Sequence, residues 1–274
     1  MVKKELYKSK IGRLILRAIV KRRPLTAGAG KFADSKASKM LIPWFVKKYG
    51  IDKSNFIVPA KGFKTLNQFF TRDYKKKYLK FPKNNNLLCT PAEGYLSIQE
   101  NINSNNVVQA KEFMYSVSEL IGENASRFNG GTLIKLRLTP KEYHWFHYLD
   151  DARIDYFNNI AGSYYTSDNC GLEKINKLYT KSHRQVTMLK TKNFGEVAYV
   201  EIGATFVGTI IQNNIIGDNV KRGDKKGCFK FGGSTAILLF EKGKIEINKD
   251  ILEKTMNNKE IYVNIGEVIG KAIG

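Results

Sequence analysis

Ser234 follows two glycines in the run Phe229-Lys230-Phe231-Gly232-Gly233-Ser234-Thr235, which lies between two alternating apolar stretches. Paired glycines permit a strained backbone turn that a Cβ would forbid, and such a turn brings the Gly233 carbonyl within reach of the Ser234 hydroxyl. The pattern suits a chain that cuts itself. It equally suits a two-residue hairpin turn with glycine at the positive-φ positions. A serine is a weak nucleophile until a base takes its proton, and an imidazole does so best when a carboxylate fixes its tautomer. Of the three histidines, His144 and His147 share the segment Pro140-Lys141-Glu142-Tyr143-His144-Trp145-Phe146-His147, and either could serve Ser234. On a strand, positions three apart face opposite ways, so the two are expected to do different jobs. His-x-x-His on a strand is a poor metal motif, and no metal site is expected. Glu93, in Thr90-Pro91-Ala92-Glu93-Gly94, is the candidate carboxylate, although the same turn suits an ordinary exposed acid.

The elements that must position these groups fall into two regions. Residues 4–22, 34–49 and 64–72 read as helices punctuated by Pro24, Gly28, Gly30 and Gly62. After Lys83-Asn84-Asn85-Asn86 the texture changes to short β-branched and aromatic runs at 133–138, 143–149, 186–190, 197–202, 209–212, 236–240 and 261–265, with one helix expected at about 111–121. The expected fold class is α+β, an N-terminal helical cap (1–80) on a β-rich, sandwich-like or barrel-like core (81–274).

Charge separates the same two regions. The formal net charge is +21, and residues 1–80 hold 22 Lys/Arg against 4 Asp/Glu. Ile11, Leu14, Ile15, Ala18 and Ile19 form one apolar helical face, with Lys10, Arg13, Arg17 and Lys21 opposite. That run is too short to span a bilayer but could lie on one, or could simply pack on the domain. A basic surface also admits nucleic acid as a partner, yet no helix-turn-helix, zinc finger or RNP-like signature accompanies it. The cysteines Cys89, Cys170 and Cys228 are odd in number and far apart, which predicts neither a disulfide framework nor a metal site and suits an intracellular protein.

Five ordered segments carry a resemblance to a known family. Leu66-Asn67-Gln68-Phe69-Phe70-Thr71-Arg72 resembles an FNEFFTR-like segment, and 138–147 resembles an RL-x-P-x-D-Y-H-R-F-H block. Gly162-Ser163-Tyr164-Tyr165-Thr166, the stretch 200–208 and the stretch 227–235 complete the set. In these the chain resembles phosphatidylserine decarboxylase proenzymes along nearly its whole length. The resemblance implies self-cleavage at Gly233-Ser234 into a β chain (1–233) and an α chain (234–274) that stay together as a heterodimer, with Ser234 becoming a pyruvoyl cofactor. It further implies decarboxylation of phosphatidylserine to phosphatidylethanolamine. By position His147 corresponds to the histidine of the cleavage triad, Ser234 to its nucleophile, and His144 to a histidine of the decarboxylation site. Glu93 stands where the family pattern is P-x-D-G, one methylene longer, and Asp150 and Asp151 are substitute carboxylates. The substrate implies a peripheral protein on the cytoplasmic face of the cell membrane, with the basic cap against an anionic surface. The competing expectations are a processing-defective membrane-associated relative, a pyruvoyl enzyme acting on a soluble amine acid, and a basic nucleic-acid-binding protein.

Overall fold

The computed structural model describes residues 23–110, 113–165, 172–173, 175–203, 209–232 and 234–273. The basic helix expected at 4–22, Cys170, the end of the 200–208 segment and Gly233 lie outside the described residues. Helix α1 spans Arg23–Asp34, a 3-10 turn follows at Lys36–Leu41, and α2 spans Ile42–Tyr49. Pro43 sits in the first turn of α2, where its missing N–H costs nothing, and Gly50 ends the helix at φ 59°. Helix α3, Leu66–Phe70, is capped by the Thr65 side chain, which accepts the Gln68 N–H.

The remainder is mainly strand: β1 Leu87–Cys89, β2 Gly94–Gln99, β3 Val107–Ala110, β4 Phe113–Tyr115, helix α4 Val117–Ile121, β5 Thr132–Leu138, β6 Trp145–His147 and β7 Ala152–Ile160. Helix α5 (Leu178–Lys181) precedes β8 Arg184–Thr191, β9 Glu196–Gly203, β10 Ile210–Gln212, β11 Asn219–Val220, β12 Lys225–Phe229, β13 Ser234–Phe240 and β14 Ile245–Ile247. Helix α6 (Lys249–Thr255), β15 Ile261–Val263 and β16 Val268–Ala272 complete the order. The fold is α+β. Its main sheet has eight strands in the order β11-β7-β8-β9-β13-β5-β2-β15, and two three-stranded sheets, β10-β12-β6 and β1-β16-β14, accompany it.

Two local expectations are corrected. The helix read at 111–121 is only α4, because Phe113–Tyr115 pairs with β3 as a hairpin and a Ser116–Glu119 capping box starts the helix afterwards. The strand read at 143–149 shortens to β6, leaving Tyr143 and His144 on its approach.

Strand β13 lies between β9 and β5 and pairs with both along all of Ser234–Phe240. Ala236, Leu238 and Phe240 enter one apolar cluster with Leu136, Phe146, Tyr199 and Phe229, whereas Ile237 and Leu239 enter a second with Leu120, Phe128, Leu133 and Val200. Burial on both faces explains the uninterrupted apolar run in the sequence. The sheet carrying β6 covers the first face through Phe146, whose ring lies 4.9 Å from Phe229 and 6.0 Å from Tyr199. Between these layers Lys226 Nζ donates to Glu201 Oε1 at 2.7 Å, Thr187 Oγ1 at 2.8 Å and Gln212 Oε1 at 2.8 Å; Lys226, Glu201 and Thr187 are buried and Gln212 is half-buried. A third cluster joins the cap to the core: Phe45, Phe69 and Phe70 pack with Tyr143 and Ile265, and with Phe231 at its edge.

Candidate active site

The candidate residues gather at one end of the main sheet. Ser234 opens β13 opposite Leu138 of β5. Gly94 flanks Leu138 on the other side, one residue past the Tyr95–Arg137 pair. Ser234 and Gly94 are therefore two strand spacings apart, about 9.5 Å, and Glu93 immediately precedes the latter. Gly94 has φ 152°, and a Cβ there would meet the Arg137 carbonyl oxygen at 2.7 Å, so the turn that delivers Glu93 requires glycine. Gly232, two residues before the serine, likewise has φ 144°, a backbone conformation that favours glycine.

Ser234 is fully buried and its Oγ has no hydrogen-bond partner among the described residues. By strand alternation it shares the face of Ala236 and Leu238. Between β5 and β6, the chain turns through Thr139–His144. The Glu142 carboxylate accepts the Thr139 N–H at 2.5 Å, and burial, with Glu93 nearby, pushes this carboxyl above its ordinary range. His144 Nδ1–H donates to the Glu142 carbonyl at 2.8 Å, which leaves Nε2 as the lone-pair nitrogen. That Nε2 is buried and, like Ser234 Oγ, has no hydrogen-bond partner among the described residues. The His144 ring lies 3.8 Å from that of Phe70. Burial, then the nearby Arg72 charge, lower its pKa to about 3, opposed by the Glu142 and Gly232 backbone. His144 is accordingly neutral at ordinary pH.

His147 faces elsewhere. Its Nδ1–H donates to the Gly223 carbonyl at 2.7 Å, and its Nε2 accepts from the Tyr143 hydroxyl at 3.3 Å. Burial lowers its pKa to about 4 against the pull of the Gly223 carbonyl. Glu93 does not touch either histidine. Its two oxygens accept from the hydroxyls of Tyr74 and Tyr262, and burial together with that carboxylate keeps both phenols protonated. A series of aromatic neighbours nevertheless lies between Glu93 and His147: the Tyr74 ring lies 4.6 Å from that of Tyr143, and the Tyr143 ring 5.9 Å from that of His147. Asp150 is engaged by the Asn193 backbone and side chain, and Asp151 by Arg222 and Lys221, so neither substitute carboxylate reaches a histidine.

Sequence reasoning did not single out the cap residues that hold both halves of the site. Arg72 Nη2 donates to the Lys141 carbonyl at 2.6 Å and the Glu142 carbonyl at 3.2 Å, and the Trp145 indole donates to the Thr71 carbonyl at 2.9 Å. These contacts fix the histidine loop. Their partners are about 70 residues away in sequence, and the visible signal was only that Thr71 and Arg72 fall in a resembling segment. Among the described residues no cluster of His, Cys, Asp and Glu forms a metal site.

A family model described as phosphatidylserine decarboxylase matches residues 66–271. The chain is similar to a phosphatidylserine decarboxylase proenzyme of Clostridium kluyveri, 40% identical over 266 residues that cover 96% of this chain and 90% of that relative. A proenzyme of the same name from Clostridium novyi is 39% identical over 269 residues, covering 97% and 91%. One from Desulfitobacterium hafniense is 38% identical over 266 residues, covering 96% and 89%.

Proposed function

This chain belongs to the phosphatidylserine decarboxylase family, a family of carboxy-lyases, and from that premise we propose that it is a proenzyme that cuts its own Gly233–Ser234 bond and then decarboxylates phosphatidylserine to phosphatidylethanolamine. The observation that carries this reading is the buried Ser234 hydroxyl, which has no hydrogen-bond partner among the described residues and lies two positions after Gly232 at φ 144°. Ser234 Oγ attacks the Gly233 carbonyl, and a base takes the hydroxyl proton. The peptide nitrogen becomes the serine amine as an ester replaces the amide. Loss of the α-proton expels the Gly233 carboxylate, and hydrolysis of the resulting dehydroalanine releases ammonia and leaves a pyruvoyl terminus on the α chain (234–274). Ser234 suits such a group because its position is enclosed and already carries an unsatisfied polar atom. When present, a pyruvoyl group supplies an electron sink for carbon dioxide loss from an amine-bearing substrate.

The chain's own residues divide the remaining work. His147 is the proposed base of cleavage, its tautomer fixed by Gly223, and Glu93 stands behind it across the Tyr74 and Tyr143 rings rather than in direct contact. His144, neutral and with no hydrogen-bond partner on Nε2 among the described residues, serves the decarboxylation. A second reading exchanges the two, and one observation favours it: His144 Nε2 has no hydrogen-bond partner among the described residues, whereas His147 Nε2 is occupied by Tyr143.

The cap is proposed to dock on an anionic membrane surface at the cytoplasmic face. Met40, Trp44, Ile57 and Val58 are 75%, 56%, 54% and 48% exposed, amid Lys36, Lys39, Lys47, Lys48, Lys53 and Lys61, a combination suited to an interface of acyl chains and anionic headgroups. Among the described residues no helix is long and apolar enough to cross a membrane.

Intact-mass spectrometry under denaturing conditions tests the reading. The expected result is two chains divided at Gly233–Ser234, the smaller lighter than its sequence by one ammonia, with Ser234→Ala remaining whole. Cleavage in Ser234→Ala would overturn the mechanism, and turnover of a soluble amine acid but not of vesicle-borne phosphatidylserine would overturn the substrate.

A further inference from the structure

The loop that carries the proposed cleavage site is tied to the cap through Asn67 and Asp34. The backbone N–H of Phe231 donates to Asn67 Oδ1 at 2.9 Å, and Asn67 Nδ2 donates to Asp34 Oδ1 at 2.9 Å. The other Asp34 oxygen accepts from Lys230 Nζ at 3.3 Å, so the last residue of α1 touches the same loop directly. Asn67 is buried, and its helix is pinned at the preceding residue, where the Leu66 N–H donates to Ser38 Oγ at 2.8 Å.

These partners dictate the residue type. Phe231 offers only a donor and Asp34 only acceptors, so the group between them must accept on one side and donate on the other, which a primary amide does. A carboxylate at this position would face Asp34 with like charge, and an aliphatic side chain would take away the acceptor of the Phe231 N–H.

We infer that Asn67 is a positioning residue for self-cleavage, holding Phe231 two residues before the scissile bond, with Asp34 fixing the orientation of its amide. The inference rests on the cleavage reading above. It makes the cap part of the maturation machinery as well as the proposed docking surface: a chain whose α1–α3 junction is not assembled has no fixed loop for Ser234 to attack.

The test follows cleavage of the full chain during cell-free synthesis, by intact mass against time, with thermal melting of each variant as a check on folding. Asn67→Leu should cleave about tenfold or more slowly, since a displacement of about 1 Å at a reacting centre is costly. Asn67→Asp should also be slow, because two carboxylates then meet. Asp34→Asn combined with Asn67→Asp restores a donor opposite an acceptor on both sides and should recover most of the wild-type rate. If Asn67→Leu fails to fold, the Asp variant and the paired exchange decide alone. Wild-type rates in a folded Asn67→Asp, or no recovery in the folded double variant, would overturn the inference while leaving the cleavage reading standing. A wild-type chain that never cleaves would overturn both.

Discussion

The Tyr143 hydroxyl lies 3.3 Å from His147 Nε2 while the Gly223 carbonyl, 2.7 Å from Nδ1, holds the other side of the ring. The imidazole is thus fully engaged, and its basic nitrogen reaches another group only if Tyr143 gives way. His144 presents a different arrangement, one nitrogen held by a carbonyl and the other without a hydrogen-bond partner among the described residues.

Single substitutions separate the two histidines. His147→Ala is expected to block or strongly slow cleavage, and His144→Ala to cleave yet turn over poorly. Tyr143→Phe should cleave at least as fast as wild type, because it releases Nε2. Mass spectrometry and a decarboxylation assay read the two steps. Cleavage lost in His144→Ala and kept in His147→Ala would exchange the assignments.

Acid should destabilise the protein partly through these rings. Both are held neutral in the fold by burial, with pKa values of about 3 and about 4 against 6.5 for an ordinary histidine. Between about pH 4 and 6.5 the unfolded chain therefore binds more protons than the folded one, so the histidine contribution to stability is complete above 6.5 and shrinks as pH falls. Urea unfolding of Ser234→Ala at pH 7 and pH 4.5 should show a larger loss than the same comparison with His147→Gln added. An equal loss would mean that His147 titrates as it does in water.

Glu201 and Lys226 form a buried pair between two sheets, burial pushing the carboxyl up and the ammonium down while each charge supports the other. Lys226→Met strands a carboxylate and should cost about 3–5 kcal/mol. Adding Glu201→Gln should return a good part of that. Chemical denaturation checks both, and a double variant no more stable than Lys226→Met would deny the coupling.

Docking by the cap makes a separable prediction. Trp44, with Lys48 Nζ 4.4 Å from its ring centroid, and Met40 project from the basic surface. Replacing both by Ala should weaken binding to phosphatidylserine-containing vesicles roughly tenfold without slowing cleavage, and raising the salt should weaken binding further. Unchanged sedimentation with vesicles would locate the docking surface elsewhere.

The sequence made some of this visible and concealed the rest for physical reasons. The apolar run 236–240 announced a strand, and its lack of alternation is explained by burial on both faces. Helices at 34–49 and 64–72 were marked by proline, glycine and apolar spacing, and α2 and α3 lie within them. The family resemblance put forward Ser234, His144, His147 and Glu93 as candidates. What surrounds these residues was hidden: Glu93 meets Tyr74 and Tyr262, 19 and 169 positions away, and His147 meets Gly223, 76 positions away. Such pairings arise from strand order, which periodicity does not encode. The added methylene of Glu93 raised the question of reach to a histidine, and the carboxylate instead ends between two phenols.

Because β13 is bonded along its whole length to β5 and β9, while β14 and β16 share a sheet with β1 and β15 pairs with β2, a cut before Ser234 would release no fragment. The forty-one residues beyond it would be threaded through two sheets, and a separately made copy would have no open slot to enter. On the proposed cleavage reading, maturation would come after folding, once per molecule, and exchange of subunits between molecules would require unfolding.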